Sequence, residues 1–282
     1  MVPVTVNVDG RRYEYRSVRN PALMPFLIAN VAQTSHASRG RAFGDQTLAL
    51  RLELRYEGQE PLVYTETIAS ADAPARAWAL TAALVAYTEN SSFDAPALEA
   101  VAIDVATLEH LSGLRLVDAV PQRRVVRPGE ELSVRLRLRP YRDADLVARD
   151  LVIEVPAGTP EGRLDLVVAD GAAWTLYDLG MRPYVPASFA DEVRLINDLR
   201  PSTSLIMALE RRQGGVALDG GSVVMPPGLV VQLQSGLGSE LSITSYAVVE
   251  SVEEAMTAPV SGAVRIELQV RAEEPLERSE VR

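Results

Sequence analysis

Residue types that usually carry out chemistry are few in this sequence, and they lie far apart. The 282 residues include two histidines, His36 and His110, and no cysteine. A serine hydrolase needs a histidine beside a serine and a carboxylate, but the surrounding pattern puts His36 near the end of a helix and His110 in a turn. A partly exposed, protonated histidine at a helix end interacts favourably with the helix dipole. We therefore expect His36 to be a helix-capping or surface residue, and neither histidine to be catalytic.

The composition excludes several further classes of chemistry. All 28 basic residues are arginine, so there is neither a Schiff-base lysine nor the lysine of a phosphate-binding loop. The absence of cysteine excludes disulfides, thiolate zinc sites, iron–sulfur clusters and a cysteine nucleophile. The G-x-S-x-G turn of many hydrolases is also missing. The sequence thus predicts no catalytic residue, no metal site and no cofactor.

Arginines are concentrated around one predicted strand. Arg135, Arg137 and Arg139 alternate with apolar residues and therefore form a row on its outer face. Cross-strand ion pairs with acidic residues of the next segment are one interpretation, each contributing only about 0.2–1 kcal/mol. A polyanion site is an alternative, and the planar guanidinium suits a carboxylate-rich protein partner equally well. The row is our candidate interaction surface. Its candidate acidic partners are Asp143, Asp145, Asp150 and Glu154.

The net charge and the apolar pattern narrow the range of partners. A formal net charge of −10 argues against nucleic acid, because phosphate binding needs a basic surface. Residues 1–10 alternate like a strand and lack the basic head and apolar run of a signal peptide. The longest apolar stretches, 22–32 and 77–86, fall short of the ~20 residues that span a bilayer. We expect no membrane span, and we expect any export signal to lie upstream.

The pattern of strands and helices along the sequence predicts an α+β, β-rich fold with antiparallel sheets and a few helices. An Asp9-Gly10 turn joins two alternating segments at the N-terminus. Segment 47–56 is the clearest strand, because its leucines at alternate positions share one face. Two further strands are predicted at 98–108 and 113–120. The leucines of the clearest strand are Leu48, Leu50, Leu52 and Leu54.

Four helices are predicted among the strands. The first begins at Asn20-Pro21 and ends near Ser38. The second occupies 73–89 after an Asp72 cap, and a short third one follows an Asp170 cap. The fourth, through 189–199, begins with a capping box. The predicted core face of the first helix includes Leu23, Leu27 and Val31, and the capping box pairs Ser188 with Asp191.

The pattern divides the chain into four parts. Residues 1–120 are predicted to be an α+β domain with two helices on a sheet. Residues 121–170 consist of short strands separated by proline- and glycine-rich turns, which predicts an immunoglobulin-like β-sandwich segment. Residues 171–272 are predicted to be a mixed, β-rich C-terminal domain, with turns at 214–215 and 220–221 and a helical turn or two at 227–234. The charged residues 273–282 are predicted to be a flexible tail.

Several turn and strand motifs occur in an order that resembles a known family. The order is similar to the region downstream of the peptidase domain in exported bacterial proteins of the SpoIVB-type serine peptidase family, as found in acidobacteria and their relatives. The motifs are 6–13 (VNVDGRRY), 18–21 (VRNP), 126–130 (VRPGE), 138–142 (LRPYR), 153–162 (IEVPAGTPEG), 166–171 (LVVADG) and 260–262 (VSG).

The resemblance implies a location in the periplasm, the cell envelope or outside the cell, and a peptidase domain upstream in the native protein. The glycine-histidine motif and the glycine- and serine-rich motif that carry catalysis in that family do not stand in this sequence. The resemblance therefore implies no catalytic residue for this chain.

These observations favour a non-catalytic, β-rich envelope or secreted protein region that acts through protein–protein contacts. It would be an accessory or structural part of a peptidase-like protein, with a protein partner or self-association. A peptidase-related chain with residual hydrolase activity is the first alternative. A carbohydrate- or polymer-binding module is the second, although Trp78 and Trp174 both stand in helical patterns where burial is expected.

Overall fold

The protein is described from a computed structural model that covers residues 1–39, 44–108, 110–181, 186–218, 221–224 and 242–271. Strands make up 49% and helices 22% of it, in mixed and antiparallel sheets, which confirms the predicted α+β, β-rich class. Over these ranges, no helix has both the length and the apolar character needed to cross a membrane.

The elements alternate between sheet and helix in the first third of the chain, and strands dominate the remainder. In chain order they are β1 (Val2–Val8), β2 (Arg11–Ser17), α1 (Met24–Ala37), β3 (Gln46–Tyr56), β4 (Leu62–Ser70), α2 (Ala73–Glu89), β5 (Leu98–Leu108), β6 (Leu114–Pro121), β7 (Val125–Val126), β8 (Glu131–Pro140), β9 (Val147–Glu154), β10 (Gly162–Asp170), α3 (Gly171–Met181), α4 (Phe189–Asn197), β11 (Ser204–Leu218), β12 (Gly221–Val224), β13 (Ser242–Ala255), β14 (Val260–Ser261) and β15 (Ala263–Val270).

The chain folds into two compact units. The first comprises Met1–Leu114, Val185–Ser204 and Ala255–Val260, and the second comprises Arg115–Tyr184, Leu205–Glu254 and Ser261–Arg282. Each unit is thus assembled from separate stretches of the chain. The four-part division predicted from the sequence stays a prediction.

The first unit is built on a five-stranded sheet in the order β2-β1-β5-β3-β4. Only the β1/β5 pair is parallel among the pairs of this sheet. The alternation that predicted β3 is confirmed, because its four leucines are all nearly fully buried. Helices α1, α2 and α4 contact one another or the strands on this leucine face. None of the four described helices packs its apolar side chains on the other face of the sheet.

The core face of α1 differs from the predicted one. Leu23 and Leu27 are 54% and 40% exposed, whereas Ile28 and Ala32 are fully buried. The buried stripe runs one position later than predicted, through Met24, Ile28 and Ala32, which corresponds to a rotation of the helix by about 100°. Before it, Asn20 accepts the amides of Ala22 and Leu23 in a turn, and the regular helix begins only at Met24. The predicted orientation of α1, with Leu23 and Leu27 in the core, is therefore wrong.

Helix α4 begins as its sequence predicts. The Ser188 hydroxyl accepts the Asp191 amide at 3.2 Å, and the Asp191 carboxylate accepts the Ser188 hydroxyl at 2.8 Å. This reciprocal pair is a capping box in which aspartate replaces the more usual glutamate. It aims Phe189, Val193 and Ile196 into the core of the first unit.

The second unit contains two sheets. Five strands of the larger sheet follow the order β12-β11-β10-β15-β7, with β13 also paired to β11, and the smaller sheet has the order β14-β6-β8-β9. Residues 121–170 thus contribute β8 and β9 to one sheet and β7 and β10 to the other. The immunoglobulin-like sandwich stays a prediction.

The turn predicted at 214–215 is wrong, because both glycines lie within the long strand β11. Segments 227–234 and 273–282 and residue 220 lie outside the described residues.

Candidate functional site

The arginine row lies on the exposed face of β8, as its alternation predicts. Arg135 donates two hydrogen bonds to the carboxylate of Asp150 on β9, at 2.8 and 3.1 Å. Arg137 is paired with Asp118 on β6. These hydrogen bonds hold the pKa of Asp150 and of Asp118 below the usual range. Arg139 is exposed and has no ion-pair partner in the described ranges.

Two members of the row are therefore engaged within their own sheet. Asp150 is one of the four predicted acidic partners, whereas Asp118 lies on the preceding strand and is not one of them. Of the three arginines, Arg139 is the one whose guanidinium has no ion-pair partner among the described residues. A partner carboxylate that bound Arg135 or Arg137 would have to displace Asp150 or Asp118. The assignment of the row as an interaction surface stays a prediction.

Strand β9 is the open edge of the same sheet. It pairs with β8 through residues such as Leu151 opposite Val134, and no other described strand lies beside it. Its apolar residues are unusually exposed, with Val147 at 43% and Val152 at 48%, and the preceding Leu146 at 40%. Arg149 points to the same face as the buried residues, yet it is exposed and has no ion-pair partner among the described residues. An unpaired strand edge of this kind can accept a further strand.

The edge of the five-stranded sheet at β4 is covered in a different way. The Asn197 side chain accepts the Val63 amide at 2.7 Å and donates to the Pro61 carbonyl at 3.1 Å. The Ser202 hydroxyl donates to the Thr67 carbonyl at 2.6 Å. Side chains of the 197–202 segment thus occupy the outward backbone groups of β4, which would otherwise be free to pair with another chain.

Neither histidine forms a catalytic constellation in the described structure. His36 is 2% exposed, packed at 5.7 Å from the ring of Trp78, and its Nε2 lies 3.4 Å from the Thr107 hydroxyl. The expectation that His36 caps a helix or is exposed is wrong, because the rotated face of α1 turns it toward α2. Burial lowers its pKa, and the Asp9 carboxylate only partly opposes this. His110 is exposed in a bend.

The expected burial of both tryptophans is confirmed. Trp78 is 4% exposed and lies in the core of the first unit, and Trp174 is 7% exposed on α3. Neither ring offers a flat exposed platform of the kind that many carbohydrate-binding modules use. No cluster of three or more metal-binding side chains occurs in the portion of the chain that is described.

A network of ion pairs covers part of one face of the larger sheet. Asp165 on β10 stands opposite Glu210 on β11 and opposite Glu267 on β15, so three carboxylates form a row across three strands. Arg265 donates to Asp165 at 3.2 Å and to Glu210 at 2.9 Å. Arg163 contacts Asp165 and Glu267, both at 3.0 Å. Two arginines therefore bridge the three carboxylates.

Helix α3 joins this network through one side chain. The Tyr177 hydroxyl donates to Glu210 at 2.6 Å and accepts from Arg265 at 2.5 Å. The Arg265 guanidinium lies 5.3 Å from the ring centres of both Tyr177 and Tyr246, within cation–π range. Burial raises the pKa of Glu210, an effect that the Tyr177 hydroxyl and Arg265 reduce. No short sequence pattern predicts this network, because its members are distant along the chain.

The open face of the five-stranded sheet carries a depression of about 420 Å³. Asn7, Arg51 and Asp104 line one end of it, and Ala49 and Ala106 lie between that end and the Asp9-Gly10 turn. Sequence reasoning missed this feature, because it depends on which small residues the strand register brings side by side.

Comparisons with known proteins give no relative. No family model, no curated protein and no solved structure matches the chain. Function must therefore be inferred from the geometry of the chain itself.

Proposed function

We propose that this chain is a non-catalytic protein-interaction region that binds an extended segment of a partner protein at the open edge of β9. The observation that carries the proposal is the contrast between two edges. The edge at β4 is covered by side-chain hydrogen bonds, whereas no described strand pairs with the outer edge of β9, where Val147 and Val152 are exposed. Proteins normally protect exposed edges, and an open apolar edge favours pairing with another strand.

The side chains of β9 define the partner's chemistry. An added strand forms main-chain hydrogen bonds along the edge, and its side chains lie beside those of β9 on the same face. Leu151 and Val147 would contact apolar residues of that strand, and the unpaired Arg149 would contact a carboxylate. The preferred partner is therefore an extended segment that carries an acidic residue with apolar residues two positions before and two positions after it, because Val147, Arg149 and Leu151 share one face of β9.

The binding test uses the full chain and a displayed library of random peptides about ten residues long, which is near the upper end of ordinary strand lengths and enough to cover the 8 residues of β9. The expected result is enrichment of peptides in which an acidic residue has apolar residues two positions away on either side. Val152→Lys places a charge on the edge, and Arg149→Glu reverses the recognised charge. Each change is expected to weaken binding by about tenfold or more.

A matched variant controls for surface changes elsewhere in the same sheet. Val117→Lys introduces the same charge at a position on β6 that is 39% exposed but does not lie on the open edge. It should leave peptide binding unchanged. Failure to enrich any peptide, or equal binding to the Val152→Lys variant, would contradict strand addition at β9.

The exported setting belongs to the same proposal. The resemblance to the region downstream of SpoIVB-type peptidase domains motivates placing the native protein in the periplasm, cell envelope or exterior, as an accessory part of a peptidase-like protein. Fractionation of cells that produce the native protein tests this. Recovery of the protein in the cytoplasmic fraction alone would argue against it.

A further inference from the structure

The depression on the open sheet face has a floor of small residues. Ala49 on β3 and Ala106 on β5 are direct cross-strand partners, and the next residue across the sheet from Ala49 is Thr67 on β4. Pro201 and Thr203 line one side and the Asp9-Gly10 turn lines the other. Since neighbouring positions carry longer side chains, the two alanines leave a hollow about the size of a small ligand site.

A row of polar residues closes one end of this hollow. The register places Asn7 opposite Asp104, and Asp104 opposite Arg51. The Asn7 amide group donates to one oxygen of Asp104 at 3.2 Å. The Asn7 side-chain oxygen is buried and has no hydrogen-bond partner in the structure as described. A buried acceptor without a donor is costly, so this position favours a ligand that supplies one.

The arginine beside this row leaves the carboxylate available. Although Arg51 stands directly opposite Asp104, its guanidinium donates to Glu53 at 2.7 Å. Arg55 also donates to Glu53, at 2.7 Å. The hydrogen bonds from Arg51 and Arg55 lower the pKa of Glu53. The second oxygen of Asp104 has no partner within the ranges described. The residues that carry these two acceptors, one of them charged, are therefore neighbours in the lining of the hollow.

The charge of the lining favours a cation. Asp9, Asp104 and Glu66 line the hollow, and Arg51 is the one basic residue in its lining. Glu66 is already engaged by the backbone amides of Thr67 and Ser202, at 2.7 and 3.0 Å. Asp9 accepts the Thr107 amide at 2.8 Å through one oxygen, as Asp104 accepts the Asn7 amide group through one. Of these two carboxylates, Asp104 is the one that lies beside the unpaired Asn7 oxygen.

We propose that this hollow binds a guanidinium group, with Asp104 and the Asn7 side-chain oxygen as its acceptors and Ala49 and Ala106 beneath its aliphatic stem. A guanidinium presents several N–H donors in one plane and can bond two adjacent acceptors together. Its methylene groups pack well on small apolar residues. This site lies in the first unit and is independent of strand addition at β9.

The guanidinium group could belong to a free small molecule or to an arginine side chain of a polypeptide, and the choice of probe distinguishes these two sources. The full chain is titrated with arginine, with N-acetyl-arginine amide, and with N-acetyl-citrulline amide, which has nearly the same shape without the charge. Binding is followed by calorimetry and by the backbone amide resonances of Leu50 and Ala106. Tighter binding of free arginine indicates a small molecule, and tighter binding of the blocked form indicates an arginine residue.

Two variants test the site and one controls for them. Asp104→Asn keeps the shape and is expected to weaken N-acetyl-arginine amide by about tenfold or more, because it removes a charge-assisted pair. Ala49→Leu fills the floor and should abolish binding, and the exposure of Ala49 makes this change compatible with folding. Asp94→Asn is the same chemical change at an exposed loop position of the same unit and should have no effect.

Three results would overturn the proposal: no binding of either arginine probe, equal binding of the citrulline probe, or unchanged binding in both the Asp104→Asn and Ala49→Leu variants. Thermal unfolding of each variant confirms that it is folded. None of these results depends on peptide binding at β9, so the two proposals fail separately.

Discussion

Asp165 and Glu210 stand directly opposite each other on β10 and β11, and both are almost completely buried, at 3% and 1% exposure. Like charges directly across a sheet repel each other, and burial adds a desolvation cost. Arg265 offsets both effects because its two terminal nitrogens reach one carboxylate each. Arg163 also pairs with Asp165 and the Tyr177 hydroxyl donates to Glu210, but among the described side chains it is Arg265 that bridges the two carboxylates.

Replacing Arg265 with methionine should destabilise the second unit strongly. Removing one partner of a buried ion pair typically costs about 3–5 kcal/mol, because the remaining charges are left uncompensated. The unfolding free energy of the second unit, followed by hydrogen exchange of β10 and β11 amides, measures this. Arg12→Met, which removes an exposed pair with Glu14, should change stability by less than about 0.5 kcal/mol.

The same variant should respond to pH in a defined direction. Burial raises the pKa of Glu210, and Arg265 opposes this effect, so without Arg265 the folded-state pKa of Glu210 lies further above that of the unfolded chain. The Arg265→Met protein should therefore gain stability relative to the wild type as the pH falls toward the carboxylate range. A constant stability difference between the two proteins at all pH values would contradict the proposed role of Arg265.

The elements most accurately predicted from the sequence are those whose local pattern coincides with their burial. Strand β5 and helix α2 have the predicted limits, 98–108 and 73–89, and the leucines of β3 face the core as expected. Strand β4 escaped prediction, because as a covered edge strand it alternates poorly and only Leu62 and Ile68 are buried.

The sites were much less accessible to sequence reasoning. Asp165, Glu210 and Arg265 come together only through strand register, and the hollow on the first unit depends on Ala49 meeting Ala106. The burial of His36 depends on where α1 begins, which the Asn20 turn shifts by several residues. Long-range register and helix phase are tertiary properties that no short pattern specifies.

The buried His36 should make the first unit sensitive to mild acid. Burial lowers its pKa below the ordinary value of 6.5, so the unfolded chain binds a proton more readily than the folded one. The stabilising contribution of the neutral histidine is complete above about pH 6.5 and is lost as the pH falls through the folded-state pKa. His36→Gln should reduce this loss, as measured by urea unfolding between about pH 8 and about pH 5.

The exposed histidine supplies the control for that experiment. His110→Gln changes the same residue type in a solvent-exposed bend and should leave the pH profile as it is in the wild type. If the His36→Gln and wild-type proteins lose stability in parallel, the titration of His36 is not the cause.

Removing the cover of β4 should create a second reactive edge. The Asn197→Ala/Ser202→Ala double variant loses the side-chain hydrogen bonds to Pro61, Val63 and Thr67. Each lost bond typically costs about 0.5–1.5 kcal/mol, and the freed backbone groups can pair with another chain. We expect lower stability and concentration-dependent association in sedimentation experiments. Asn30→Ala, which removes a hydrogen bond within α1 only, should remain as monodisperse as the wild type.

Gly262 should not tolerate any side chain. Its φ of +117° disfavours residues with a Cβ, and an added Cβ would lie 3.0 Å from the Leu116 carbonyl oxygen. Its amide also donates to the buried Asp170 carboxylate at 2.7 Å, which in turn accepts the Ala173 amide at the start of α3. Gly262→Ala is therefore expected to cost about 1–3 kcal/mol and to loosen α3.

Gly58→Ala is the matched change, because Gly58 has a φ of +68° with open space around it. It should cost only about 1 kcal/mol. Equal losses for the two variants in chemical denaturation would show that the contact with Leu116 has no energetic role.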